Sequence, residues 1–257
     1  MKIGFIGVGK MASAIIQGLK ASSQNEIIVS DSSFTNSKKT AERLSVAFAN
    51  SHQELIDQVD LVVLGIKPQM LEKVLSDLVF TKPVMSMAAG VPLERLANLT
   101  NPKLPLIRIM PNLNAQILKS STAICFNQEV SDDQKVIAKA ITDSFGTTFD
   151  MDEKDFDTFT ALAGSSPAYI YLFIEAMAKA GVKYGIPKDK ALDIVTQTVL
   201  ASSESLLAGT DSPSDLIDKI SSPGGTTIAG LLDLEKTGLT ASVVSAIDAT
   251  IEKAKNL

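Results

Sequence analysis

Lys2 to Ile6 is a short apolar run closed by glycine, and from Met11 to Leu19 the apolar positions recur with helical period. That change of period marks a strand, a turn and a helix in succession. Glu26 to Ser30 reads as a second strand, Lys38 to Leu44 as a second helix, and Asp60 to Ile66 (DLVVLGI) as a nearly continuous buried strand. Further short strands at Val84 to Ala88 and Leu106 to Ile109 are separated by the helical candidates Gln69 to Leu78 and Leu93 to Leu99, and TAICF around Cys125 reads as another buried strand. Such alternation predicts an α/β domain over residues 1–152, a parallel sheet with helices on both faces.

After Asp152 no strand pattern recurs. Asp155 to Tyr184 is helical in period, stops at Gly185 and restarts after Pro187, which fits the first turn of a new helix. Helices are expected from Pro187 to Leu207, Pro213 to Ile220, Thr226 to Lys236 and Thr240 to Ala254, so residues 153–257 form an all-α domain. Long helices rich in Ala and Leu carry more apolar surface than a small bundle hides, which points to an oligomer interface.

Composition narrows the function classes. A formal net charge of −5 with interspersed acids and bases offers no basic face to nucleic acid. Cys125 is the one cysteine, so an intrachain disulfide and a Cys-based metal cluster are excluded, and its apolar setting is that of a small packed hydrophobe. No metal-ligating cluster stands out. The start MKIGFIGVG lacks the apolar region and cleavage site of a signal peptide, and no stretch has the length and freedom from charge of a membrane span. The expected compartment is the cytoplasm.

Gly7-Val8-Gly9-Lys10-Met11-Ala12 has the form G-x-G-x-x-A, directly after a strand and at the start of a helix. The first glycine makes the tight turn, the second lets a pyrophosphate approach, and Ala12 permits close helix packing, so the first domain is expected to be a Rossmann-type doubly wound sheet. Asp31 closes the second strand, where an acid hydrogen-bonds the ribose 2′-hydroxyl of NAD; Ser32, Ser33, Asn36, Lys38 and Lys39 follow at once and could instead hold the 2′-phosphate of NADP. His52 is the one histidine. Ser51 and Glu54 have capping-box spacing, which places His52 in the first turn of a helix near the adenosine end rather than in acid–base work.

GIKPQ (65–69), MAAG (87–90) and RIMPN (108–112) lie at strand ends, which line the ligand crevice of an open parallel sheet. Lys67 there is either a catalytic base or a cation that completes a loop. In SSPGGTTIAGLL (221–232), Thr226 is a candidate N-cap, while the paired Gly224 and Gly225 permit positive φ and leave a helix N-terminus open to a carboxylate or phosphate.

The G-x-G-x-x-A start, VLGIKPQ, SMAAGV, RIMPN, ALAGSSPAYIY and SSPGGTTIAGL, in this order, resemble the pyrroline-5-carboxylate reductases across essentially the whole chain. The resemblance implies a helical dimerisation and substrate-binding domain behind the Rossmann domain, in a homodimer or a decamer. It implies NAD(P)H-dependent reduction of 1-pyrroline-5-carboxylate to L-proline, the last step of proline synthesis, by hydride transfer to the ring imine carbon. By the same resemblance Gly224, Gly225, Thr226 and Thr227 hold the substrate, with Thr227 reaching the ring nitrogen. Ile6, Gly7, Val8, Gly9, Lys10 and Met11 would hold the pyrophosphate, Ser32 the adenosine ribose or its phosphate, His52 the ribose, and Ile66, Lys67, Pro68, Ala88, Ala89 and Gly90 the nicotinamide half. NADP is the cofactor expected, with NAD as the alternative. Asp31, His52 in place of a common asparagine, and Ser166 in place of glycine depart from the family pattern. A β-hydroxyacid dehydrogenase-like oxidoreductase and a non-catalytic NAD(P)-binding sensor are the competing readings.

Overall fold

The computed structural model describes residues 1–22 and 25–255. Packing divides the chain into two compact units: Met1–Gly164 together with the chain from Lys253, and Ser165–Glu252.

The first unit runs β1 (Lys2–Ile6), α1 (Lys10–Ser22), β2 (Glu26–Ser30), α2 (Phe34–Leu44), β3 (Ala47–Phe48), α3 (His52–Gln58), β4 (Leu61–Leu64), α4 (Leu71–Leu75), β5 (Val84–Ser86), α5 (Leu93–Leu99), β6 (Leu106–Met110), β7 (Ser120–Phe126), α6 (Asp132–Asp143), β8 (Gly146–Asp150) and α7 (Phe156–Phe159). One sheet holds all eight strands in the order β3-β2-β1-β4-β5-β6-β7-β8. Every neighbouring pair is parallel except β6–β7, so the sheet is mostly rather than wholly parallel. The exception has a physical cause: only a short 3₁₀ connection, Leu113–Ile117, links β6 to β7, too short for the crossover that a parallel pair needs.

Helices on both faces explain why β4 reads as an unbroken apolar run. Val63 points into a core with Ile3, Phe5, Ile15 and Phe145, whereas Val62 and Leu64 enter a second core with Leu55, Ile56, Leu71 and Leu96. Burying both faces removes the alternation that a one-sided strand would show.

Several boundaries differ from the sequence expectation. The helix expected over Lys38–Leu44 starts a turn earlier because Ser33 caps it, its hydroxyl accepting the Asn36 N–H at 3.2 Å. The helix expected over Gln69–Leu78 shrinks to a 3₁₀ turn, Pro68–Met70, and the short α4. Residues 153–164 pack with the sheet, since Phe156 and Phe159 share a cluster with Ala123 and Cys125.

In the second unit α8 (Ser166–Lys183), α9 (Lys188–Ala208), α10 (Pro213–Ile220), α11 (Thr226–Lys236) and α12 (Leu239–Lys255, counted with this unit as far as Glu252) follow one another. Pro187 is the extended N-cap of α9 rather than part of its first turn. Helical order before α8 is interrupted by a π-helical stretch, Thr160–Ser165. Among the described residues, no helix is long and apolar enough to cross a membrane.

Candidate active site

The glycine turn hangs between β1, β2 and β4. Gly7 has φ of +80°, a left-handed conformation that favours glycine, and its N–H donates to the Ser30 carbonyl at 2.9 Å. Gly65, at the end of β4, donates its N–H to the Ile6 carbonyl at 2.9 Å. A Cβ on Gly65 would stand 2.2 Å from the Gly7 carbonyl oxygen and 3.2 Å from the Ala12 Cβ. Gly7, Ala12 and Gly65 therefore form one close-packed corner, of which sequence reasoning picked out the first two residues. The signal for the third was present, as a glycine closing an apolar strand.

Gly9 is the opposite case: nothing lies within 4 Å of where its Cβ would be, so bare backbone faces open space. The α1 N-terminus follows at Lys10 with no acidic residue in its first turn. Sheet order reverses between β1 and β4, and ligands of open α/β sheets bind at such a point, outside the carboxyl ends of the strands. A tight positive-φ turn, a Cβ-free cradle and the positive end of a helix dipole fit the pyrophosphate of a dinucleotide. Ile6, Gly7, Val8, Gly9, Lys10 and Met11 are all part of this corner.

At the end of β2, Asp31 is half-buried, and its carboxylate accepts the Ser32 N–H at 2.8 Å while its own N–H donates to Ser37 Oγ at 2.9 Å. Ser32 Oγ accepts from the Asn36 amide at 2.9 Å, and Ser33 is occupied as the α2 cap. Lys38 and Lys39 are exposed on α2. His52 is the first residue of α3, and Ser51 Oγ accepts the Glu54 N–H at 3.1 Å, but the Glu54 carboxylate reaches back to the Asn50 N–H at 2.8 Å rather than to that of Ser51. The expected capping box is thus half-formed.

Gly65, Ile66 and Lys67 carry the chain away from β4, Lys67 exposed and extended before the Pro68 turn. At the end of β5 the buried Ala88 donates its N–H to Ser86 Oγ at 3.3 Å, and Gly90 has φ of +70° beside the exposed Ala89. Ile66, Lys67, Pro68, Ala88, Ala89 and Gly90 lie just beyond the carboxyl ends of adjacent strands, the position that the nicotinamide half of a dinucleotide needs.

The asparagine of RIMPN has a definite structural task. Pro167 lacks an N–H and so cannot donate to the Ala163 carbonyl four residues before it. Buried Asn112 supplies the missing bond, its Nδ2 donating to that carbonyl at 3.0 Å while its Oδ1 accepts the Asn114 N–H at 3.1 Å. Asn112→Ala strands a carbonyl and is expected to cost about 1–3 kcal/mol, measurable as a lower denaturant midpoint at unchanged slope.

Arg108, buried at 7 % exposure, pairs with Glu153 at 2.9 Å and stacks over Phe156 at 4.4 Å. Burial, followed by the negative charge of Glu153 and opposed by Arg108, pushes the Cys125 thiol up to about 12, which keeps it an unreactive packed hydrophobe.

In the helical unit, Ser222-Pro223-Gly224-Gly225 is a tight turn: the Gly225 N–H donates to the Ser222 carbonyl at 3.0 Å and Gly224 has φ of +69°. Proline then glycine with positive φ at the two central positions is the type II arrangement. It delivers Gly225, not Thr226, as the N-cap of α11, in extended conformation and with no side-chain cap hydrogen bond. The expectation that Thr226 caps this helix is corrected, because the turn ends one residue sooner and Thr226 is already helical. A glycine cap has no oxygen to offer the first-turn N–H groups, which leaves them for an external acceptor. Thr226 is exposed and Thr227 half-buried, and nothing lies within 4 Å of where a Gly224 Cβ would be. Beside the turn, the buried Ser221 Oγ has no hydrogen-bond partner among the described residues.

The helices of this unit bury little against one another. Among the described residues, Ala178, Ala191 and Val195 are the buried ones of these helices, whereas Leu172, Tyr184 and Leu207 are 70 %, 80 % and 86 % exposed. Apolar side chains displayed on this scale mark an association surface.

Comparison with known proteins agrees with these features. A family model described as pyrroline-5-carboxylate reductase dimerisation matches residues 153–257, and one described as NADP oxidoreductase, coenzyme F420-dependent, matches residues 2–90. The chain is 34 % identical to the pyrroline-5-carboxylate reductase of Aquifex aeolicus over 258 aligned residues, covering all of this chain and 97 % of the relative. The structure of 1-pyrroline-5-carboxylate reductase from Streptococcus pyogenes superimposes with a TM-score of 0.94 at 66 % identity, covering 100 % of this chain and 99 % of that one. A pyrroline carboxylate reductase from Plasmodium falciparum with NADP bound superimposes with a TM-score of 0.84 at 30 % identity, covering 100 % and 97 %.

Proposed function

Because the chain belongs to the pyrroline-5-carboxylate reductase family, we propose that it reduces 1-pyrroline-5-carboxylate to L-proline in the cytoplasm with a reduced nicotinamide dinucleotide. The observation that carries this reading is the type II turn at Ser222–Gly225, which feeds an uncapped helix N-terminus bearing Thr226 and Thr227. A cyclic imino acid has the two features that such a site can use, a carboxylate and a basic ring nitrogen.

In this account Gly224, Gly225, Thr226 and Thr227 hold the substrate, with backbone N–H groups at the start of α11 taking the carboxylate, assisted by the helix dipole. Thr227 Oγ1 donates a hydrogen bond to the ring nitrogen, which makes the adjacent C5 more electrophilic, and the nitrogen takes its proton from solvent as C5 accepts the hydride. The dinucleotide, when bound, supplies the hydride that C5 accepts. No proton is drawn from a carbon or an alcohol, so no histidine or lysine base is required. Positioning the imine for attack contributes much of the rate by itself.

Ile6 to Met11 hold the pyrophosphate, Ser32 and His52 the adenosine ribose, and Ile66 to Pro68 with Ala88 to Gly90 the nicotinamide half. NADPH is the preferred reductant and NADH the alternative, since Asp31 suits a 2′-hydroxyl while the Ser32–Ser33 turn and the α2 lysines suit a 2′-phosphate. The apolar face of the helical unit forms a homodimer, which can assemble further into a decamer. Light scattering at micromolar concentration should therefore give twice the chain mass or a multiple of it; a monomer refutes the assembly. Chiral analysis of the product from NADPH and 1-pyrroline-5-carboxylate should show L-proline, and its absence refutes the reaction.

A further inference from the structure

The one histidine of the chain is built into the end of β2. Ser30, the last residue of that strand and 1 % exposed, works in two directions: its carbonyl accepts the Gly7 N–H at 2.9 Å, and its hydroxyl lies 2.7 Å from His52 Nδ1. The imidazole is therefore one residue removed from the phosphate-binding turn and next to Asp31, where a Rossmann domain reads the adenosine ribose. Engaging Nδ1 with Ser30 leaves Nε2 for a ligand.

We propose that His52 makes cofactor choice depend on protons: its imidazolium favours the 2′-phosphate of NADP, whereas the neutral ring beside Asp31 favours the 2′-hydroxyl of NAD. This rests on the dinucleotide-site reading above and adds a pH dependence to it.

The surroundings supply the titration. Burial lowers the His52 pKa below 6.5 and the Asp31 carboxylate opposes that fall, so the ligand-free ring is neutral at pH 7 and above. α3 packs against β1 and β2. The charged residues of those strands, Lys2 and Glu26, are at their opposite ends, 3.5 Å from each other, which leaves Asp31 as the charge contributed from that side. On its own helix, Glu54 is turned back to Asn50 and Asp57 accepts from Gln53. A 2′-phosphate brings nearly two negative charges to the ring and stabilises its protonated form. By linkage, whatever the phosphate does to the histidine pKa, protonation of the histidine does to NADP affinity. Lys38 and Lys39, exposed on α2, add an attraction for the phosphate that His52 does not control.

Because His52 is the one histidine, its Cε1–H resonance is unambiguous in an NMR pH titration of the intact protein. Three titrations decide the matter: without ligand, with saturating NAD⁺ and with saturating NADP⁺. The expected result is a pKa raised by about one unit or more with NADP⁺ and little changed with NAD⁺, which corresponds to roughly tenfold tighter NADP⁺ binding to the protonated form. Calorimetric affinities at pH 5.5 and 8 should show that pH-linked gain in the wild type and lose it in His52→Gln. That variant keeps a hydrogen-bonding partner for Ser30 but does not titrate, and it carries whatever dependence the phosphate's own protonation adds. Equal pKa values with the two dinucleotides, on a resonance that both displace, overturn the proton-linked choice and keep the site. A resonance that neither saturating dinucleotide displaces overturns the placement of His52 at the ribose and the proposal with it.

Discussion

Thr227→Ala is expected to reduce turnover of 1-pyrroline-5-carboxylate by about 10²-fold, the loss typical of a preorganised donor aimed at developing charge. NADP⁺ affinity should stay within about twofold, because the dinucleotide is assigned to other residues. Thr227 is the second residue of α11, and alanine is the better helix former there. The variant should therefore unfold no earlier than the wild type, which separates lost chemistry from lost structure. Thr227→Ser, retaining the hydroxyl, should recover most of the rate. Steady-state kinetics with thermal melts on the three proteins checks this, and unchanged turnover in the alanine variant removes Thr227 from the mechanism.

A second large effect is expected at the glycine corner, where two substitutions of the same kind should behave differently. The 2.2 Å approach to the Gly7 carbonyl means that Gly65→Ala must push the turn out of position. It is expected to lower stability by about 1–3 kcal/mol, the usual cost of overpacking, and to weaken dinucleotide binding tenfold or more. Gly9→Ala meets nothing within 4 Å, so it should melt close to the wild type and yet lose dinucleotide affinity, because the new methyl occupies space a pyrophosphate needs. Fluorescence titration and calorimetric melting of both variants distinguish a glycine that shapes the turn from one that admits the ligand. Equal affinity in Gly9→Ala would contradict the placement of the pyrophosphate.

The sequence exposes these two glycine roles unequally. Gly7 and Gly9 are marked by their spacing at a strand-to-helix junction, a local pattern with a local cause. Gly65 shows in the sequence as a glycine closing an apolar strand, but the contact that requires it comes from residues far away in the chain, Gly7 and Ala12. The same holds for Asn112, whose task comes from the missing N–H of Pro167. The parallel core was legible through its continuous apolar runs, whereas the β6–β7 reversal depended on the length of one connection. β8 was hard to see, its GTTFD having a single large apolar residue that is itself 44 % exposed. α6 was not read from the sequence, although Ser131 and Gln134 form a full capping box, a signal as strong as that at Ser51.

In the helical unit, the α10 and α11 boundaries followed from the Ser-Pro and Gly-Gly-Thr punctuation. The one-residue shift of the α11 cap followed from the turn type, which Pro223-Gly224 encodes and which a propensity ranking of cap residues overlooks. That shift bears on function: a threonine cap would have occupied an N–H of the helix start with its own hydroxyl, and a glycine cap does not.

The most direct test of the account compares loss of reduced-nicotinamide absorbance with 1-pyrroline-5-carboxylate and with unsubstituted 1-pyrroline, which has the same imine but no carboxylate. Rapid oxidation of NADPH by the first, and oxidation at least about tenfold slower by the second, is the result predicted if the Ser222–Gly225 turn and the α11 N-terminus hold the carboxylate through charge-assisted hydrogen bonds. Absence of oxidation with the carboxylate substrate, or equal rates with both imines, would contradict it.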